Sequence, residues 1–172
     1  MNKGIRYTGI PSDEELRSCP GLPSRARMAR GPVAQLECVQ CIPCNPCEQA
    51  CAAGAISVGN PITNRPVLDA EKCVGCGKCI SKCPGLAITV INMAYGNGLA
   101  TLDFPYEYIP LPEPGDRVTA VDREGVPVCG AEVLSVSPPA ANGGTGIIRI
   151  AFPLAEADRV KSVRRLTGGD TA

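Results

Sequence analysis

Cysteine is the residue type in this chain whose number and spacing could support chemistry, and eight of the 11 cysteines fall in two runs. The first run is Cys41-Ile-Pro-Cys44-Asn-Pro-Cys47-Glu-Gln-Ala-Cys51, and the second is Cys73-Val-Gly-Cys76-Gly-Lys-Cys79-Ile-Ser-Lys-Cys83. Both have the spacing C-x2-C-x2-C-x3-C. Three thiols at this spacing lie on one tight loop and can bind the same metal cluster. The fourth lies beyond the loop and points away, so we expect it to bind the cluster of the other run.

This doubled spacing is typical of polypeptides that hold two 4Fe–4S clusters. The sequence therefore predicts two such clusters with crossed ligand sets, because each run needs the fourth thiol of the other. One position stays open: Cys38 lies three residues before Cys41, and either thiol could be the first ligand, although the spacing favours Cys41. The candidate ligands are Cys38, Cys41, Cys44, Cys47, Cys51, Cys73, Cys76, Cys79 and Cys83.

Zinc binding and disulfide formation fit this clustering of cysteines less well. Zinc sites normally use separated pairs of cysteines rather than four thiols in one short run. Disulfides form in oxidising compartments, and the first residues lack the apolar segment of a secretion signal. We therefore expect a cytoplasmic iron–sulfur protein. A zinc-stabilised adaptor without a redox role is the alternative from a different functional class.

The composition argues against a separate catalytic centre. The chain has no His, which removes the commonest general acid–base side chain. It also has no Trp and only two Phe, so metal binding is expected to supply much of the folding free energy of the cysteine region. We expect a non-catalytic electron-transfer subunit that binds no nucleic acid, and no apolar run is long enough to span a membrane.

Breaker residues and hydrophobic patterning divide the chain into three parts. Residues 1–34 are rich in Pro and Gly and are predicted to form an extended N-terminal arm that is ordered by packing on something else, with a flexible terminus as the equal alternative. Within this arm, residues 12–16 are expected to form a helical turn. Residues 35–95 hold the cysteine runs, and residues 96–172 are predicted to form a small β-rich domain.

Short strands are expected on both sides of the cysteine runs and throughout the C-terminal part. In the C-terminal part, alternating residues predict a hairpin built from residues 116–122 and 127–136, followed by a strand at 146–152. Residues 157–166 could form a short helix or a last strand. Outside the runs, Cys19 is expected to be a free thiol, and Cys129 is expected to pack as a small apolar side chain.

Residues 38–92 resemble a bacterial 2×4Fe–4S ferredoxin domain, through the two cysteine runs and the Pro84 that follows the last cysteine. The runs repeat at an interval of about 32 residues, which supports the same resemblance. It implies a βαββαβ layout. The expected fold class is therefore α+β: a ferredoxin-like two-cluster core with an extended N-terminal arm and a small C-terminal β domain.

A narrower resemblance covers more of the chain. The chain is similar to the small iron–sulfur subunits of FAD-dependent amine or D-amino-acid dehydrogenase complexes of the hydroxyproline-, proline- or sarcosine-oxidase-like kind. This resemblance implies an electron-transfer subunit that accepts electrons from the flavin of FAD-containing partner subunits in a hetero-oligomer. Proteins of this kind have an acidic residue where this chain has Cys41, so the resemblance favours Cys38 as the ligand, and both candidates stay open. The segments that carry it are Gly31-Pro-Val33, Glu37-Cys38-Val39, Ile42-Pro-Cys44-Asn-Pro-Cys47-Glu48, Cys83-Pro-Gly-Leu-Ala87 and Pro105-Tyr-Glu-Tyr108.

Charge bears on whether such a protein diffuses freely. The chain has 17 basic and 17 acidic side chains, so its formal net charge is zero. Soluble ferredoxin shuttles are commonly strongly acidic, because charge steers them to their partners. The neutral chain therefore favours a fixed subunit, with a free soluble ferredoxin shuttle as the alternative.

Overall fold

A computed structural model describes residues 3–167 as short helices and antiparallel strands, with strands predominating. The four α-helices are α1 (Ile5–Thr8), α2 (Asp13–Arg17), α3 (Arg25–Met28) and α4 (Pro46–Ala50). The strands are β1 (Val33–Leu36), β2 (Ile56–Ser57), β3 (Val67–Leu68), β4 (Ile88–Gly96), β5 (Leu99–Tyr106), β6 (Arg117–Val121), β7 (Pro127–Ser137), β8 (Gly146–Pro153) and β9 (Ser162–Val163). Single 3-10 turns occupy Pro139–Ala141 and Leu154–Glu156. Within residues 3–167, no helix has the length and apolar character needed to cross a membrane.

Seven strands form one sheet in the order β1-β4-β5-β8-β7-β6-β9, and β2 and β3 form a separate pair. Strand β4 pairs with β1 on one side and with β5 on the other. The C-terminal strands therefore continue the sheet that begins with β1 and β4, and this sheet runs through the boundary expected between residues 95 and 96. The predicted C-terminal hairpin is present as β6 and β7. Residues 157–166 contain the short strand β9.

The turn between β4 and β5 explains how the sheet continues. Asn97 and Gly98 both have left-handed backbone conformations, with φ of 54° and 71°. Two left-handed residues form the tight turn whose twist matches that of paired strands, and Asn-Gly is a preferred sequence for it. The flanking residues Gly96 and Leu99 are paired across the two strands. The sequence Gly96-Asn97-Gly98 thus directs the chain from the cysteine region into the C-terminal strands.

The sheet separates two hydrophobic cores. Alternate residues of β4 face opposite sides, so Ile91 and Met93 contact one core while Ile88 and Val90 contact the other. The larger core lies on the face formed by β5, β7 and β8. Its largest fully buried side chains are Phe104, Phe152, Ile91, Leu102, Ile148, Ile150, Val33 and Val133. The smaller core packs against cysteine side chains, including Cys47 and Cys79.

The N-terminal arm packs on the chain itself. Helix α2 begins with a capping box in which Ser12 and Glu15 exchange hydrogen bonds, which fits the helical turn expected there. Met28 is buried in the larger core. At Gly21 an added Cβ would lie 2.6 Å from the Leu36 backbone oxygen, so only glycine allows this close approach. The arm was expected to be ordered by packing on something else, whereas within the described residues it contacts β1 and the larger core of its own chain.

The cysteine region between β1 and β4 has the element order β1-α4-β2-β3-β4, with β2 and β3 antiparallel. The βαββαβ layout would place a second helix after Cys76. The structure has consecutive turns there: the Ile80 N–H donates to the Gly77 carbonyl and the Cys83 N–H donates to the Ile80 carbonyl. These bonds join residues three apart, so the segment turns tightly without forming an α-helix.

Candidate metal centres

Four cysteine side chains line a small cavity under the first cysteine run. They are Cys38, Cys44, Cys47 and Cys83. The cavity is partly open to solvent. Ile42, Pro66 and Ile88 also line it, so the thiols face apolar surroundings. Sulfur ligands in an apolar setting suit iron–sulfur chemistry, because thiolates are the usual ligands of such clusters.

A second small cavity lies under the second run and is also lined by four cysteines. They are Cys51, Cys73, Cys76 and Cys79. Apolar side chains of β1, β2 and β4 complete the lining: Ala34, Ile56 and Val90. Each cavity therefore receives three thiols from nearby residues of one loop and a fourth from the other run.

The electrostatics of the thiols follow the same grouping. Burial raises the pKa of Cys47 to about 11, and the thiols of Cys83, Cys38 and Cys44 contribute to the rise. Burial likewise raises the pKa of Cys79 to about 12, with contributions from Cys73, Cys76 and Cys51. Each buried thiol is thus influenced by the cysteines of its own cavity. Because metal ligation requires thiolates, iron binding at these positions must release protons.

Cys38 and Cys41, the two candidates for the first ligand, occupy different environments. Cys38 is half-buried and lines the first cavity. Burial raises the pKa of Cys38, and the nearby Cys83 thiol raises it further. Cys41 is exposed and lies outside that lining. The neighbouring Glu37 fixes the chain on the Cys38 side, since its N–H donates to the Ala87 carbonyl at 2.8 Å.

The Glu37 side chain is held by two cations from the C-terminal part. Arg123 donates to both carboxylate oxygens at 2.6 Å, and the Lys161 Nζ lies 2.9 Å from Oε1. The Glu37 and Lys161 side chains are only 14% and 10% exposed. Burial raises the pKa of Glu37, but the two cations outweigh it and leave that pKa lowered. Glu37 is therefore a buried carboxylate that anchors the segment just before Cys38.

The fourth cysteines of the two runs, Cys51 and Cys83, share one local geometry. The Cys51 Sγ accepts a hydrogen bond from the Ala55 N–H at 3.2 Å, and the Cys83 Sγ accepts one from the Ala87 N–H at 3.4 Å. In both cases the donor lies four residues after the cysteine. Hydrogen bonds to ligand sulfur stabilise its negative charge and are one determinant of cluster potential. The repeat therefore extends from the sequence to the backbone bonds around the thiols.

The loop of the second cysteine run is held by the N-terminal arm and by β1. The Ala34 N–H donates to the Cys73 Sγ at 3.4 Å. The Arg27 guanidinium donates to the carbonyls of Ala70 and Cys73 at 2.8 and 2.7 Å. Gly75 has φ of 64°, and a Cβ there would lie 2.5 Å from the Pro32 Cβ. These contacts fix the loop that carries Cys73 and Cys76.

The two cysteines that were not candidate ligands lie outside both cavities. Cys19 is buried, and its Sγ donates to the Leu36 carbonyl at 3.1 Å. Cys129 is half-buried and packs against the larger core, as expected for a small apolar side chain. Burial raises the pKa of both thiols. Within residues 3–167, no group of three or more Cys, Asp or Glu side chains is arranged to hold a single metal ion. A 4Fe–4S cluster differs in that each thiolate binds a different iron atom.

Comparison with known families bears directly on this region. Residues 40–87 match the family model of a 4Fe-4S dicluster domain. The match supports a ferredoxin-type iron–sulfur protein with 4Fe–4S clusters and an electron-transfer role. No curated protein matches the chain, and no solved structure matches it either.

The matched range and the cavity disagree about the first ligand. The range begins at residue 40 and so contains Cys41 but not Cys38, whereas the cavity is lined by Cys38 but not Cys41. A thiol must face the cluster that it binds, and the cavity reports this directly. The residue at which a matched range begins does not show which side chain faces inward, so the cavity lining favours Cys38.

Several residues that shape the site were not found from the sequence. They are Arg27 and the N–H donors of Ala34, Ala55 and Ala87. Ala55 and Ala87 could have been found, because each stands four residues after the fourth cysteine of its run. Arg27 and Ala34 carry no comparable signal, since their contacts with the second loop depend on the tertiary fold.

Proposed function

We propose that this chain is the electron-transfer subunit of a flavin-dependent dehydrogenase complex and holds two 4Fe–4S clusters. One observation carries the cluster assignment: two cavities are each lined by four thiols, and all of these thiols except Cys38 lie within residues 40–87, which match a 4Fe-4S dicluster domain. When bound, a 4Fe–4S cluster supplies one-electron chemistry.

The proposed ligands follow the cavity linings, so that Cys38 rather than Cys41 is the first ligand. The first set is Cys38, Cys44, Cys47 and Cys83, and the second is Cys51, Cys73, Cys76 and Cys79. The chain contributes four thiolates to each set. It also contributes N–H groups that donate to the ligand sulfurs and stabilise their negative charge. The apolar lining limits the access of water to each set.

The partner in this proposal is an FAD-containing amine or amino-acid dehydrogenase subunit. The resemblance of residues 31–48, 83–87 and 105–108 to the small subunits of such complexes supports it. The formal net charge of zero also supports a fixed subunit rather than a long-range shuttle. Oxidation of the substrate would then take place on the partner's flavin, as expected for a cofactor that carries the chemistry.

Measuring iron and acid-labile sulfide in anaerobically purified protein tests the cluster assignment. We expect about eight of each per chain, because complete clusters of this type contain four irons and four sulfides. The Cys38→Ser variant should lose one cluster, whereas Cys41→Ser should keep both. Cys19→Ser is the control for a buried thiol outside the cavities and should also keep both.

The outcome that would contradict the ligand set is equally clear. If Cys41→Ser lost half of the iron while Cys38→Ser kept all of it, Cys41 would be the first ligand. Four irons in the wild-type protein would remove one cluster from the proposal. Copurification of a flavoprotein with the native chain, followed by substrate-dependent bleaching of the iron–sulfur absorption, tests the partner.

A further inference from the structure

A groove of mixed polar and apolar lining lies between the second cysteine loop and the C-terminal strands. Residues 76–78 and 80–82 line one part of it, and residues of β5, β7 and β8 with the loop at Asn142 line another. Its volume is about 670 Å³, and Ile80 and Ile147 contribute apolar surface to its lining. Neither cysteine run alone predicts this groove, because the C-terminal part supplies half of it.

The groove carries uncompensated positive charge. Lys78 and Lys82 line it, are exposed, and form no ion pair within residues 3–167. Asp103 is the acidic residue of the lining, and Arg149 neutralises it with hydrogen bonds of 2.6 and 3.0 Å. Since the whole chain has a formal net charge of zero, this charge is a local feature rather than the effect of a basic protein.

The groove also reaches the second candidate centre. Cys76 lines both the groove and the second cavity, and it is exposed. Cys79, another thiol of that cavity, is shielded from solvent. A molecule in the groove would therefore contact the side of the second centre that the chain leaves uncovered.

We propose that this groove binds an acidic, extended segment of the electron-transfer partner and brings that partner to Cys76. This inference rests on the proposed electron-transfer function and adds the place and the charge of the docking surface. Binding sites for small molecules usually bury 70–90% of the ligand surface and are mostly apolar. Here the walls include Lys78, Ser135 and Gly143, which are exposed, so an occupant stays partly in water.

Binding of a fluorescein-labelled oligoglutamate peptide to the iron-loaded full chain, followed by fluorescence anisotropy, tests the proposal. The double variant Lys78→Gln/Lys82→Gln should bind the peptide about tenfold more weakly, equivalent to about 1.4 kcal/mol. It should also lose most of the dependence of affinity on ionic strength, because opposite charges in water are screened by salt. The Arg164→Glu variant is the control, because it changes the net charge by the same two units at an exposed residue outside the groove.

A position-specific variant separates the groove from general surface charge. Ser135→Glu adds an acidic group to the wall opposite the lysines and should also weaken binding of the peptide. Equal weakening by Arg164→Glu and the double lysine variant would overturn the proposal, and so would a wild-type chain that does not bind the peptide. Tight competition by pyrophosphate or flavin mononucleotide would assign the groove to a small anionic ligand and would also overturn it.

Iron content and reduction by dithionite are measured on the same samples, so that two failures can be distinguished. A chain that holds reducible clusters but does not bind the peptide contradicts the docking surface alone. A chain without clusters contradicts the proposed function, whatever the peptide does.

Discussion

Replacing Arg27 with Ala should loosen the second cysteine loop far more than replacing its neighbour Arg25. Both residues lie in α3, only two positions apart, and both are arginines. Arg27 donates four hydrogen bonds to carbonyls, of which those to Ala70 and Cys73 are short, at 2.8 and 2.7 Å. Arg25 forms a surface ion pair with Asp158, and the two side chains are 56% and 60% exposed.

The expected magnitudes follow from these contacts. A hydrogen bond to a charged group contributes about 1.5–3 kcal/mol. Counting only the two short bonds of Arg27, at the low end because the residue is half-exposed, its loss should cost about 3 kcal/mol. An exposed ion pair contributes about 0–1 kcal/mol, so Arg25→Ala should cost about 0.5 kcal/mol. Arg27→Lys keeps the charge but loses the planar fork of donors, and should fall between them.

Hydrogen exchange measured by mass spectrometry on the loaded protein provides the assay. If the loop opens locally, a cost of about 3 kcal/mol should accelerate exchange of peptides covering residues 69–76 by about 100-fold in Arg27→Ala. Arg25→Ala should change it by less than about threefold. Equal acceleration in both variants would refute the reasoning, since it would mean that α3 as a whole, rather than the guanidinium contacts of Arg27, holds the loop.

Three further predictions concern backbone space, buried charge and metal removal. Gly75→Ala should lose iron from the second cavity, because the new Cβ would clash with Pro32. Gly77 also has a positive φ, but a Cβ there would meet only an ordinary contact, so Gly77→Ala should keep most of its iron. Iron analysis of the two variants checks this difference. Glu37→Gln should lower the free energy of unfolding by about 3 kcal/mol, since it leaves the buried Lys161 cation without its carboxylate; a guanidinium titration that shows no shift would contradict this. Removal of iron should speed amide exchange in the cysteine loops while the seven-stranded sheet stays protected. Equally fast exchange throughout the chain would mean that the sheet has no core that is stable without iron.

Helices and hairpins that depend on neighbouring residues could be predicted from the sequence. The Ser12 and Glu15 side chains form a capping box at the start of α2, where a helical turn was expected. The alternating residues of the C-terminal part predicted the β6–β7 hairpin, which the structure contains. The Asn97-Gly98 turn between β4 and β5 was an equally local signal, but the boundary expected between residues 95 and 96 concealed it.

Spacing alone leaves the first ligand position open between Cys38 and Cys41. The repeat interval pairs Cys41 with Cys73, and this symmetry favoured Cys41. In the structure Cys73 accepts the Ala34 N–H and lines its cavity, whereas Cys41 is exposed on its loop. Cys38 lies at the corresponding place in the first cavity. The fourth cysteines of the two runs therefore accept equivalent hydrogen bonds, whereas the first cysteines of the two runs differ in environment. Comparing the two runs as sequences does not show this difference.

The C-terminal part of the chain contributes to both candidate centres, although it supplies no ligand. For the first centre, Arg123 and Lys161 hold the Glu37 carboxylate in a buried position just before Cys38. Residues far along the chain thus set the charge and position of the segment that leads into the first cavity. For the second centre, Asp103 and Arg149 form a neutral pair beside the groove, so that the charge left facing Cys76 belongs to the lysines of the cysteine loop. One sheet joins the two parts, because β4 contacts the smaller core and also pairs with β5, the first strand of the C-terminal part.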